Sequence, residues 1–121
     1  MTGLLYIPTT KEVWSTSADT LLCVWSTANP FACIKYISTD NYMLCLTLHK
    51  DVVWVGTETA IVLWDVKTRE RLRVLKFHSK FVHALVAIDD EHVWSCSSDG
   101  QIGNFFFFFI IFILFKNNNF L

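Results

Sequence analysis

VVWVGTETAIVLWD, residues 52–65, is two short apolar runs separated by a Gly-Thr-Glu-Thr break, with a tryptophan in each run. Val62, Trp64 and Val66 share one parity, and Ile61, Leu63 and Asp65 share the other. Period-two spacing places each set on one face of a pleated strand. Valine, isoleucine, threonine and tryptophan dominate both runs, as strands favour. The stretch predicts two antiparallel strands joined by a tight turn.

The same pattern recurs on both sides. Trp14, Trp54 and Trp94 each follow a valine and stand forty residues apart. A second aromatic follows each at ten or eleven residues: Trp25, Trp64 and Phe105. Asp99-Gly100 falls between two apolar runs, where glycine supplies the positive φ of a hairpin turn. Asp19-Thr20 holds the matching place in the first copy. Internal self-similarity at this period is the signature of a repeat architecture. Ten strands are predicted, at about residues 12–17, 21–26, 33–37, 42–48, 52–57, 60–65, 72–77, 82–88, 92–97 and 100–105, with no convincing helix. The organisation expected is an N-terminal segment (1–11), the repeats (12–105) and a tail (106–121).

Composition narrows the function. The 121 residues allow one domain at most. Apolar residues make up 53% of the chain, too many for a disordered polar segment. The formal net charge of −1 gives no general attraction to nucleic acid or anionic membrane. Cys23, Cys33, Cys45 and Cys96 form no C-x-x-C pair and are expected to be small buried hydrophobes in a reducing compartment. The opening residues resemble no signal peptide, so a cytoplasmic location is expected.

Four short strands per forty residues, with Leu63-Trp64-Asp65 closing a third strand, resemble the WD-repeat β-propeller. The later copy adds Phe77-His78, then Val82, Ala84, Leu85 and Val86 as an innermost strand. Val93-Trp94-Ser95 and Ser97-Ser98-Asp99-Gly100 follow as the second strand and its turn. The likeness covers residues 12–105, and its specificity lies in the even spacing. It implies an all-β fold: a partial WD-type propeller of antiparallel four-stranded blades, about two and a half in number. In that family a histidine, a serine or threonine, a turn aspartate and a third-strand tryptophan lock each blade. By resemblance His78, Ser95 or Ser97, and Asp99 fill three of those places, while Phe105 stands at the fourth without an N–H to donate. One repeat earlier Trp64 is present, but Ser38 stands at the histidine position and Thr59 at the turn position. The structural repeat positions are therefore Trp14, Trp25, Trp54, Trp64, Asp65, His78, Trp94, Ser95, Ser97 and Asp99. Propellers use four to eight blades, so further blades are expected and the chain reads as a piece of a longer protein.

The tail differs from the rest: eight of the eleven phenylalanines fall in residues 105–121. Phe105 to Phe115 is an unbroken apolar run of eleven, short of the roughly 20 residues a membrane helix needs. The preferred reading is translated non-coding sequence. Gly103-Asn104 can be encoded by GGTAAT, which holds an intron-like start, and T-rich and A-rich triplets then give phenylalanine and asparagine.

No catalytic, cofactor or metal site is expected. His78, Asp99 and Ser95 could be drawn as a hydrolytic triad, but the resemblance assigns them to the lock, and no G-x-S-x-G elbow surrounds a serine. His78, His83 and His92 lack a metal-binding spacing, and the glycines form no phosphate loop. Lys67, Arg69 and Arg71 on one turn, and Asp89, Asp90 and Glu91 on another, are the candidate contacts for other proteins. The expected function is a protein–protein interaction scaffold with no reaction of its own. One alternative is the targeting part of a signalling enzyme such as a Roco-type kinase, a Rho GTPase regulator or an inositol-polyphosphate 5-phosphatase, whose propellers Val53 to Thr57 resembles. Another is a small protein anchored in a membrane by its tail.

Overall fold

The computed structural model describes residues 2–28 and 32–106. The 106–121 tail beyond Phe106, with its readings as non-coding sequence or membrane anchor, lies outside the described residues. So does any statement about closure of the ring beyond them.

Eleven strands and no helix form among the described residues. They are β1 (Gly3–Ile7), β2 (Glu12–Thr16), β3 (Leu21–Ser26), β4 (Ala32–Ser38), β5 (Met43–His49), β6 (Val52–Thr57), β7 (Ile61–Asp65), β8 (Arg71–Leu75), β9 (Val82–Ala87), β10 (His92–Ser97) and β11 (Ile102–Phe106). Each strand pairs antiparallel with its chain neighbour within a sheet. The sheets are β1-β2-β3-β4, β5-β6-β7-β8 and β9-β10-β11. Innermost strand β5 touches β1 and β2, and β9 touches β5 and β6, so the sheets stack in series. The fold is a partial β-propeller built of antiparallel four-stranded blades, with three strands of the last blade described.

The register explains the repeat. Trp14 lies opposite Leu5 and Val24, and that face of the first sheet packs on Val53, Val55, Val62 and Trp64 of the second. The other face of the second sheet carries Val52, Trp54, Ile61 and Leu63 against Val82, Leu85, Val93 and Phe105 of the third. Every residue of β6 is buried, because this sheet is covered on both faces. Each large side chain fully buried this way contributes about 1.5–3 kcal/mol. Gly56 permits the approach of the third sheet: a Cβ there would come within 2.9 Å of Val82. Gly100 turns β10 into β11 at φ +83°, as the Asp-Gly pair predicts. Thr20 takes the matching turn at φ +76°, a strained value for a β-branched residue.

Two expectations need correction. The segment 1–11, set outside the repeat, contains β1, the innermost strand of the first sheet. Leu5 and Ile7 point into the core while Leu4 and Tyr6 are exposed, so apolar residues on both faces hide the alternation. The cysteines are not uniformly buried: Cys23 and Cys45 are half-buried, and Cys33 and Cys96 are exposed. The latter two lie on the outer faces of the end sheets, which no described sheet covers. Burial pushes the Cys45 thiol up to about 11, which keeps it protonated and unreactive.

Candidate functional site

Where the second and third sheets meet, the chain leaves β8 at Leu75 and turns inward. His78 is buried there, with its ring edge-on to Phe77 at 4.9 Å between centroids. Its Nδ1 lies 3.0 Å from Asp99 Oδ2 and its Nε2 lies 2.7 Å from Ser95 Oγ. A carboxylate only accepts, so Nδ1 donates to Asp99 and Nε2 is left to accept the Ser95 hydroxyl. Asp99 also accepts the N–H groups of Ser79 and Gln101. Burial pushes its carboxyl up, but the Gln101 and Ser79 N–H groups, followed by His78, outweigh that and hold it at about 2. Between the two serines the sequence left open, the structure places Ser95 on the histidine. Ser97 Oγ instead donates to Lys80 O at 3.1 Å and accepts Asp99 N–H at 3.2 Å, bracing the turn.

The chain Ser95–His78–Asp99 has the connectivity of a nucleophilic triad. Ser95 is 3% exposed, so a substrate carbonyl has no path to its hydroxyl. The arrangement ties the β8–β9 connection to the β10–β11 turn. Phe105 packs on this cluster, 5.5 Å from Phe77 and 5.8 Å from Trp54.

The other repeats hold different parts of the same cluster. In the first sheet Trp25 Nε1 donates to Ser15 Oγ at 2.9 Å. In the second sheet Val55 replaces the serine, and a cavity of about 270 Å3 opens between the first and second sheets. Ile37, Ser38, Val55, Val62, Trp64 and Arg71 are among the residues that line it.

The remaining repeat positions behave as a set. Trp14 and Trp54 are fully buried, each facing the next sheet, while Trp94 in the same place is 44% exposed. Trp64 is buried toward the first sheet, and Trp25, its counterpart, is 37% exposed. Asp65 accepts the N–H groups of Lys67 and Thr68 and so folds the β7–β8 turn.

Of the expected contact residues, Lys67, Arg71, Asp89, Asp90 and Glu91 are exposed. Arg69 is not free on its loop. Its guanidinium pairs with Glu12, a buried carboxylate of the first sheet. A φ of +59° at Arg69 closes the turn and aims the side chain across the sheets. Asp89 is also engaged, accepting the N–H groups of Glu91 and His92 and touching the His92 ring. These contacts, the Glu91 N–H first, hold its carboxyl below the ordinary carboxylate range. His78, His83 and His92 serve separate partners: His83 meets Ser98 and His92 meets Asp89.

Three residues escaped the sequence reading. Glu12 accepts Trp14 Nε1 at 3.5 Å as well as Arg69, and its only signal was a carboxylate two residues before a repeat tryptophan. Val52 stands at that place in the second repeat, and the buried Trp54 Nε1 has no partner among the described residues. Ser15 holds Trp25, as its place two repeats before Ser95 would suggest. His49, buried at the end of β5, bonds the carbonyl of Asp89 at 2.7 Å and so ties the second sheet to the third.

No family model matches the chain. The probable serine/threonine-protein kinase pats1 of Dictyostelium discoideum is 39% identical over 66 residues, which is 54% of this chain and 2% of that protein. Among solved structures, U3-55K superposes with a TM-score of 0.77 at 18% identity. The computationally designed Ika4 and Ika8 proteins superpose at 0.71 and 0.67, both at 24% identity. Each alignment takes in 85% of this chain, but only 35% of U3-55K, 63% of Ika4 and 32% of Ika8. The likeness to these structures is one of fold.

Proposed function

We propose that the chain is part of a WD-repeat β-propeller that acts as a scaffold for contacts between proteins and catalyses no reaction itself. The observation that carries the reading is the recurrence of two aromatic positions across three stacked sheets, Trp14, Trp54 and Trp94 at one and Trp25, Trp64 and Phe105 at the other. Such a stack is a rigid frame that displays its turns along two rims. Lys67 on the β7–β8 turn with Arg71 at the start of β8, and Asp90 and Glu91 on the β9–β10 turn, offer charges of opposite sign that the frame does not consume. The buried Ser95–His78–Asp99 chain serves the frame rather than a substrate. No nucleic-acid partner or cofactor enters this reading, and the location it fits is the cytoplasm.

The test is proximity labelling in cells with the tagged chain, beside a variant carrying Lys67→Glu, Asp90→Lys and Glu91→Lys. The scaffold reading expects a defined set of proteins labelled by the first and lost with the second. Identical labelling by both would refute it.

A second reading is favoured by the 66-residue likeness to a probable protein kinase. Here the same frame belongs to a larger signalling enzyme and positions a catalytic domain elsewhere in that chain. Long-read transcript sequencing separates the two: a continuous frame encoding a kinase or another catalytic domain supports the targeting role. The membrane-anchor reading draws no support from the described residues, in which no helix is long and apolar enough to cross a bilayer.

A further inference from the structure

The cavity between the first and second sheets occupies the place that the His78 cluster fills one repeat later. Ile37, Ser38 and Val55 stand forty residues before Phe77, His78 and Ser95. Trp64 lies opposite Val53 as Phe105 lies opposite Val93. In the third sheet a ring packed edge-on to Phe77 fills the space, and a hydroxyl and a carboxylate anchor it. In the second sheet the ring is replaced by a serine and the anchoring hydroxyl by Val55. The space is left open with a volume of about 270 Å3. A dry apolar cavity of about 150 Å3 is already enough to hold benzene. Both walls belong to sheets packed through a common core, so the cavity does not depend on what covers the end faces.

We propose that this cavity is a binding site for a phenolic ring, supplied by a tyrosine of a partner polypeptide. The deep walls are Val55, Val62 and the Trp64 indole, which suit the flat face of an aromatic ring. The exposed lining residues Ser38, Asp40 and Arg71 bring polar groups to the mouth, which suit a polar substituent on that ring. The Ser95 hydroxyl that holds the imidazole one repeat later is replaced here by Val55, so an imidazole would lose the partner of its Nε2. That the ring comes from a protein rests on the scaffold reading. The affinity of the cavity for a ring does not.

The experiment uses the 121-residue chain labelled with 5-fluorotryptophan, whose five signals are resolved by fluorine NMR and assigned by single Trp→Phe changes. Three probes are titrated: p-cresol, toluene and N-acetyl-tyrosinamide. Expected are a saturable shift of the Trp64 signal with p-cresol, several-fold weaker binding of toluene, and N-acetyl-tyrosinamide at least as tight as p-cresol. Val55→Phe should fill the cavity and abolish the shift. Ser38→Phe, at an exposed position, blocks the same space without disturbing the core. Overturning results are no saturable Trp64 shift, a shift that survives Ser38→Phe in the folded chain, or effects confined to the exposed Trp25 and Trp94. Toluene binding as tightly as p-cresol would overturn the phenolic assignment. N-acetyl-tyrosinamide binding more weakly than p-cresol would show a site closed to a polypeptide. Loss of labelled partners in the loop variant bears on the scaffold reading alone and leaves the ring titration unaffected.

Discussion

Replacing Ser95 with alanine should destabilise the chain more than the same change at Ser15, although both remove one side-chain hydrogen bond. Ser95 is 3% exposed and bonds His78 Nε2 at 2.7 Å. The His78 side chain is itself fully enclosed. Without Ser95 its Nε2 has no replacement partner and no water, and a buried unsatisfied polar group costs about 1–3 kcal/mol. Ser15 bonds Trp25 Nε1 at 2.9 Å, but Trp25 is 37% exposed and water can take over the indole N–H. Its loss should cost no more than the net worth of an ordinary hydrogen bond, about 0.5–1.5 kcal/mol. The two variants therefore differ by about 1 kcal/mol, or roughly 4 °C in melting midpoint for a chain of this size. Urea unfolding with matched slopes reads the difference directly. Equal midpoints, or a lower midpoint for Ser15→Ala, would refute the claim that the His78 cluster is a closed, water-free tie.

Thr20→Gly should stabilise the chain by about 1 kcal/mol, because relief of a left-handed β-branched residue outweighs the extra freedom glycine has when unfolded. Gly100→Thr is the reciprocal change and should destabilise; thermal melts in which both are silent would count against strain at these turns. Asp99 is held at about 2 against an ordinary 3.8, so its contribution is complete above about pH 4 and fades as the pH falls toward 2. Asp99→Asn should flatten stability against pH in that window, and an unchanged acid limb would contradict the assignment. Trp94→Ser should reduce self-association seen by sedimentation velocity, since Trp94, Val86 and Ile102 form an exposed apolar face on the third sheet. An unaltered sedimentation profile would exonerate that face.

The sequence showed ten of the eleven strands, because each repeat tryptophan sits in a run whose alternation follows the pleat. β1 escaped because Leu4 and Tyr6 are as apolar as Leu5 and Ile7, which erases the polar half of the alternation. β8 was read too long at its end, since Lys76 and Phe77 continue the strand pattern but leave the sheet and carry His78 to Asp99 and Ser95. The cluster itself was legible as a set, while the choice between Ser95 and Ser97 required parity in three dimensions. The Arg69–Glu12 pair was not legible. Its members are 57 residues apart, and only the stacking of two sheets brings them together.

The second sheet is sandwiched on both faces, whereas each flanking sheet has one neighbour among the described strands. Cooperativity in such a stack is nearest-neighbour and one-dimensional. Amide protons of β6 and β7 should thus be the slowest to exchange, with protection decaying outward toward β4 and β11. Among the described strands, opening should therefore begin at the flanks, with the centre setting the longest lifetime.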